Sequence, residues 1–178
     1  MTKQAFIAQY VRSPFGFAKK GPFAEVRPED LGAHVIRALL QRTGISGDEI
    51  EDVVWGCAFP EGEQGLNSCA PGIMGIGPAE ASRKALLRAG LAIDEIEIIE
   101  MNEAFAAQSE ACRRELNIPK EKLNIDGGAI ALGHPLGATG GRLVGKAATL
   151  LKREKGKYAL STQCIGGGMG IAMTLEAA

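Results

Sequence analysis

The apolar positions of the chain change period several times, and each change predicts an element. Residues 4–11 (QAFIAQYV) read as a strand, and so do residues 52–59 (DVVWGCAF), whose nearly continuous apolar run suits a strand covered on both faces. Between them Leu31, Val35, Ile36, Leu39 and Leu40 recur at helical spacing. Pro28, Glu29 and Asp30 stand at the start of that run and Gly44 at its end, which bounds a helix. Residues 60–77 (PEGEQGLNSCAPGIMGIG) are the most irregular stretch. A helix over about 78–89 stopped by Gly90, a strand at 96–101 (IEIIEM) and a helix at 103–116 follow. A glycine-rich loop then leads into a helix over roughly 139–153, and YALSTQ and GIAMTLEA close the chain as two strands separated by CIGGGM. Strands alternating with helices and ending in a strand pair predict an α/β layered fold with a mixed sheet.

Composition narrows the function more by exclusion than by direction. The 178 residues suit one domain, and 46% apolar with 23% charged residues is ordinary for a globular protein. A net charge of −1 gives no basic field for nucleic acid and no polybasic surface for a membrane. No stretch reaches the length of a membrane span, and the opening residues lack the apolar core of a signal peptide. Cysteines at 57, 69, 112 and 164 show neither CxxC spacing nor a disulfide-dense pattern. With two histidines in the chain, a zinc site is not expected, and a reducing cytoplasmic setting is.

Candidate chemistry concentrates in three places. GGAIALGHPLGATGG at 127–141 holds one titratable side chain, His134, between Gly133 and Pro135. Glycines let the backbone approach a ligand closely, and a following helix presents free N–H groups; the plainer reading is a turn histidine bonded within its own loop. Cys164 precedes Gly166, Gly167 and Gly168 at a strand end, where a thiol would face bare backbone amides able to stabilise an oxyanion. It reads equally as a small buried apolar residue. Asn102 and Glu103 open a helix, where Asn is an ordinary N-cap and its amide could also hold a water or a carbonyl oxygen.

Four segments occur in one order: MGIGPAEASRKALLRAG at 74–90, IEIIEMNEAFAAQ at 96–108, NIDGGAIALGHPLGATGGR at 124–142 and STQCIGGGMGIA at 161–172. Together they resemble the C-terminal half of the thiolases, which make or cleave 3-ketoacyl-CoA. RSPFG at 12–16, RPEDLGAHVIRALL at 27–40 and VVWGCAFPEGEQGLN at 53–67 resemble the opening of the thiolase N-terminal half, and GCAFPEGEQGLN looks most like the fatty-acid-degrading 3-ketoacyl-CoA thiolases. The resemblance implies roles position by position. His134 matches the histidine that activates the nucleophilic cysteine and helps bind the thioester oxygen, and Asn102 the asparagine that holds a water in the same oxyanion hole. Cys164 matches the cysteine that takes a proton from the α-carbon of acetyl-CoA, and Gly166 a glycine whose N–H serves a second oxyanion hole. Gly133 belongs to the same substrate-binding surface, and the turn containing Met74 resembles a loop lining the substrate tunnel. The expected fold is one thiolase-like half, a mixed five-stranded sheet covered by helices.

The thiolase resemblance also exposes a gap. A thiolase carries its acyl-accepting cysteine in a CSSG-like turn at a helix N-terminus, and no such turn occurs here. The chain passes from EGEQGLN into SCAPGIMGIGP, so that 1–178 reads as one hybrid domain: 1–67 from the first half, 71–178 from the second, joined near 68–70. Cys69 sits at the join with Pro71 and Gly72 behind it rather than a helix. Three readings follow. The first is a thiolase-type acyltransferase acting on acyl-CoA or acetyl-CoA, needing no further cofactor or metal, with impaired turnover. The second is an inactive remnant that serves only to dimerise or bind. The third, a Cys–His hydrolase, fits Cys164 and His134 but not the motifs around them. The small-residue helix GGRLVGKAATLL, left without its partner half, predicts a homodimer.

Overall fold

The computed structural model describes residues 5–17, 20–55, 76–165 and 169–178. The chain divides into two compact units, residues 1–56 and 57–178.

In the first unit one helix dominates, α1 (Pro28–Thr43). Proline at its start, Glu29 and Asp30 in its first turn and Gly44 at φ 71° past its end are the signals that bound it in the sequence. The Gly44 N–H closes the helix on the Leu40 carbonyl at 2.9 Å. Gly32 is its one buried residue, and a Cβ there would press on the Trp55 ring.

Neither predicted strand of this unit forms. Residues 5–11 and 52–55 join no ladder; residues 56–59 lie outside the described residues. A strand is stabilised by the partner that takes up its backbone groups and covers its side chains. Here Phe6, Val53 and Val54 are exposed instead, Val54 to 91%. The α/β class holds, but the sheet among the described residues has three strands rather than five.

The second unit is a three-layer sandwich. Its elements are α2 (Gly77–Ala89), β1 (Ile98–Met101), α3 (Ala106–Glu115), the short α4 (Ala129–Leu132), α5 (Leu136–Glu154), β2 (Tyr158–Cys164) and β3 (Gly170–Glu176). The sheet order is β1-β2-β3, with β1 and β2 parallel and β2 and β3 antiparallel. Strand alternation sends Ile99, Met101 and Leu160 to one face, against Ala79 and Leu86 of α2 and Cys112 of α3. Ile98, Ala159 and Leu175 go to the other, against Ala147, Leu150 and Leu151 of α5. At about 25 cal/mol per Å², burying side chains of this size stabilises by about 1.5–3 kcal/mol each, so these two clusters hold the sheet between its helices.

Two features position the ends of the sheet. Gly77 at the start of α2 and Gly170 at the start of β3 pass backbone against backbone, and a Cβ on either would collide with the other's main chain. On the outer side of β1, Asn124 acts in place of a neighbouring strand. Its backbone N–H donates to the Ile99 carbonyl at 2.8 Å. Its side chain accepts from the Met101 N–H and donates to the Met101 carbonyl, both at 2.9 Å.

Candidate active site

β1 and β2 run parallel, so their C-terminal ends meet at one edge of the sheet. Asn102 leaves β1 there, its backbone N–H donating to the Thr162 carbonyl at 2.9 Å, with Cys164 two residues further along β2. The Asn102 side chain is fully buried. It does not cap a helix: α3 begins at Ala106 behind Phe105, which gives no side-chain cap bond. The amide turns instead to the glycine-rich loop, where Asn102 Nδ2 lies 3.3 Å from His134 Nε2.

His134 reaches that position through two local devices. Gly133, at φ 94°, ends α4 with its N–H donating to the Ala129 carbonyl at 2.7 Å. That left-handed turn is open to glycine at low cost. Pro135 then precedes α5, which starts three residues earlier than the sequence pattern predicts. The ring is gripped from its other side, Nδ1 standing 2.7 Å from Thr139 Oγ1. Thr139 gives its one hydroxyl proton to the Pro135 carbonyl at 3.0 Å, so its oxygen accepts from Nδ1–H. That places the ring proton on Nδ1 and leaves the Nε2 lone pair to accept from the Asn102 amide. The bond to a residue 32 positions away takes His134 beyond a turn histidine serving its own loop.

The electrostatics favour a neutral ring. Burial, and then the positive charge of Arg142, hold the His134 pKa below its usual value. The Cys164 thiol is pushed up, chiefly by burial. Cys164 falls in phase along β2 with Leu160 and Thr162, which face α2, and forms no hydrogen bond to His134 or Asn102. The structure thus joins Asn102 to His134 and leaves Cys164 at the same sheet edge. Met74 and Gly166, together with Cys69, lie outside the described residues.

Sequence reasoning missed three supports. Glu103 accepts from Asn124 Nδ2 and from the Ile130 backbone N–H, each at 2.9 Å, tying β1 to the loop that carries the imidazole. Gly128 lies so close to the Glu103 carboxylate that a Cβ there would overlap it. Thr139 fixes the tautomer. Beneath both stands a buried charge cluster, Glu100 with Arg142 and Lys146. The visible signal for the last was Glu100, the one charged residue in IIEM, the otherwise apolar run of β1. A separate cleft of about 420 Å3 between α2 and α3 is lined by Leu86, Leu87 and Leu116 and holds none of these residues. The arginine at its rim, Arg83, is already shared by Glu80 and Glu115.

The histidine–asparagine pair joins the segments NEAF and GHPLGATG, and comparison with known proteins identifies the family to which the chain belongs. The family model for thiolase, C-terminal domain, matches residues 62–177, and that for thiolase, N-terminal domain, matches residues 5–71. The chain belongs to the thiolase family. It is 51% identical over 114 residues to a 3-ketoacyl-CoA thiolase of Vibrio parahaemolyticus, a match covering 62% of this chain and 29% of that thiolase. It is 55% identical over 108 residues to the 3-oxoadipyl-CoA/3-oxo-5,6-dehydrosuberyl-CoA thiolase of Escherichia coli, covering 60% of this chain and 27% of that one. The structure resembles human mitochondrial 3-ketoacyl-CoA thiolase in complex with CoA, with a TM-score of 0.59 and 47% identity over 63% of this chain and 28% of that one. The matched part of the chain therefore covers less than a third of the length of each of these thiolases. Among the described residues, no helix is long and apolar enough to cross a membrane, and no cluster of three metal-ligating side chains occurs.

Proposed function

We propose that this chain carries part of a thiolase-type site acting on acyl-CoA or 3-ketoacyl-CoA thioesters, by thiolysis or Claisen condensation. The observation that supports it most is the hydrogen bond between Asn102 and His134, which joins two thiolase motifs at the end of the sheet. In this reading the Asn102 amide releases the Nε2 lone pair of the neutral imidazole, which takes the proton of an attacking thiol. Asn102 spends its N–H on the ring, and its buried Oδ1, without a hydrogen-bond partner among the described residues, accepts from a water that donates to the thioester oxygen. Cys164 removes the α-proton of acetyl-CoA in the condensing direction. The thiolase resemblance gives the Gly166 N–H to a second oxyanion hole, and Gly133 and Met74 to the path of the substrate. No other cofactor is required.

Turnover by this chain alone is impaired in the same reading, because no CSSG-like turn supplies the acyl-accepting cysteine; loss of a covalent nucleophile removes several orders of magnitude of rate. Incubating the purified chain with acetyl-CoA and measuring intact mass tests this. A covalent acetyl adduct names the nucleophile and marks an active acyltransferase. Binding of CoA by calorimetry without an adduct leaves a thioester-binding site without covalent chemistry. Neither adduct nor binding overturns the proposal.

One observation favours association as a second role. Phe105, Ile130, Leu132 and Leu136 stand exposed near the imidazole loop, Phe105 to 71% and Ile130 to 67%. Apolar side chains grouped in this way favour a partner, and a second copy of this cytoplasmic chain, in place of the missing half, is the proposed one. The hybrid single-domain organisation, 1–67 joined to 71–178, belongs to the same reading.

A further inference from the structure

β1 and α5 face each other as two short ladders. On β1, Ile98, Glu100 and Asn102 alternate toward α5. On α5, Thr139, Arg142 and Lys146 follow at the three- and four-residue spacing of one helical face. His134 closes the top of this arrangement, touching Asn102 on one ladder and Thr139 on the other. The next positions down carry the charges.

Those charges are two cations around one anion, with Lys146 partly buried, its side chain 15% exposed, and the other two buried. Glu100 is fully buried and the Arg142 side chain is 4% exposed. Lys146 Nζ reaches Glu100 Oε1 at 3.1 Å, whereas Arg142 Nη1 stays 3.9 Å from Oε2, beyond hydrogen-bond distance. Nε, Nη1 and Nη2 of Arg142 have no hydrogen-bond partner among the described residues. A buried guanidinium left this way is costly, and a chain needing only a packed α5 would do as well with an apolar residue there. One carboxylate cannot neutralise two cations, so a net positive charge remains below the imidazole, where low dielectric keeps it effective.

We propose that Arg142 is a positioning residue whose charge, partly offset by Glu100, keeps His134 neutral with its Nε2 lone pair on the Asn102 amide. This rests on the thioester reading for its purpose, since a base must be unprotonated to accept a proton, but the charge relation itself stands apart from turnover. The lowered pKa of His134, to which Arg142 contributes after burial, agrees with it. The ionisable groups on the elements packed around the ring are few. From β1 and its exit come Glu100 and Glu103, the latter held by Asn124 and the Ile130 N–H. α5 supplies Arg142 and Lys146, and β2 supplies Cys164. In the loop before α4, Asp126 is bonded to Arg153 at 2.7 and 2.9 Å.

The test is an NMR pH titration of the His134 ring in the full chain, which has one other histidine, His34. Arg142→Met removes the neighbouring positive charge and raises the His134 pKa by roughly half a pH unit or more. Glu100→Gln removes the offsetting negative charge and lowers it. Opposite movements separate charge from structure, because mere loosening hydrates the ring and carries both variants upward toward the usual histidine value. Parallel rises, or no movement in Arg142→Met, overturn the proposal. No movement in Glu100→Gln alone overturns the part given to Glu100. The titration involves no substrate, so an inactive chain with opposite shifts sinks the thioester reading and spares this one.

Discussion

Held between a carboxamide and a hydroxyl, His134 has both ring nitrogens accounted for, and the hydroxyl is the grip that decides the tautomer. Thr139→Val keeps the shape and removes the acceptor for Nδ1–H. The expected result is a mixture of ring tautomers in place of one, read from the ring nitrogen shifts, with about 1 kcal/mol lost from stability. At this scale the sequence was legible where a residue sits inside a motif. His134 among glycines and Asn102 at a strand exit are both conspicuous, and the structure joins them. The alternative reading of Asn102 as a helix cap fails because α3 starts later, behind Phe105. Thr139 and Arg142 were silent, since a threonine and an arginine on a helix mean nothing until the fold shows what they face. Glu100 lay between: a carboxylate amid isoleucines announces a buried partner without naming it.

Helices were more legible than strands, for a physical reason. A helix closes its own hydrogen bonds, so proline, acidic first turns and a left-handed glycine bound α1 and α2 from local sequence alone. A strand needs a neighbour, and the apolar runs at 5–11 and 52–55 find none. β1, β2 and β3 succeed because each has a partner strand and a helix over its face. The contact between α2 and β3 is the least forgiving of these packings, since the Gly77 and Gly170 backbones touch directly. Gly170→Ala forces the two main chains apart and is expected to cost about 2–3 kcal/mol, with a lower denaturant midpoint. An unchanged midpoint would mean that the two elements do not lie against each other in solution.

Taken whole, the molecule is a thiolase-family chain whose matched part covers 29% of a longer thiolase. The proposed homodimer predicts a light-scattering mass of twice the chain's 18.7 kDa at micromolar concentration, and a stable monomer there would refute it. The two margins of the sheet are unequal in a way that bears on how such copies could add. Asn124 occupies the outward backbone groups of β1, so no foreign strand can zip onto that side. β3 has one neighbour among the described residues, and Ile171 and Met173 stand half exposed along it. Recruitment through β3 would join two sheets and then halt, each outer rim already stoppered by an asparagine. Where a doubly open sheet invites endless fibre growth, a junction of this kind would stop at a pair.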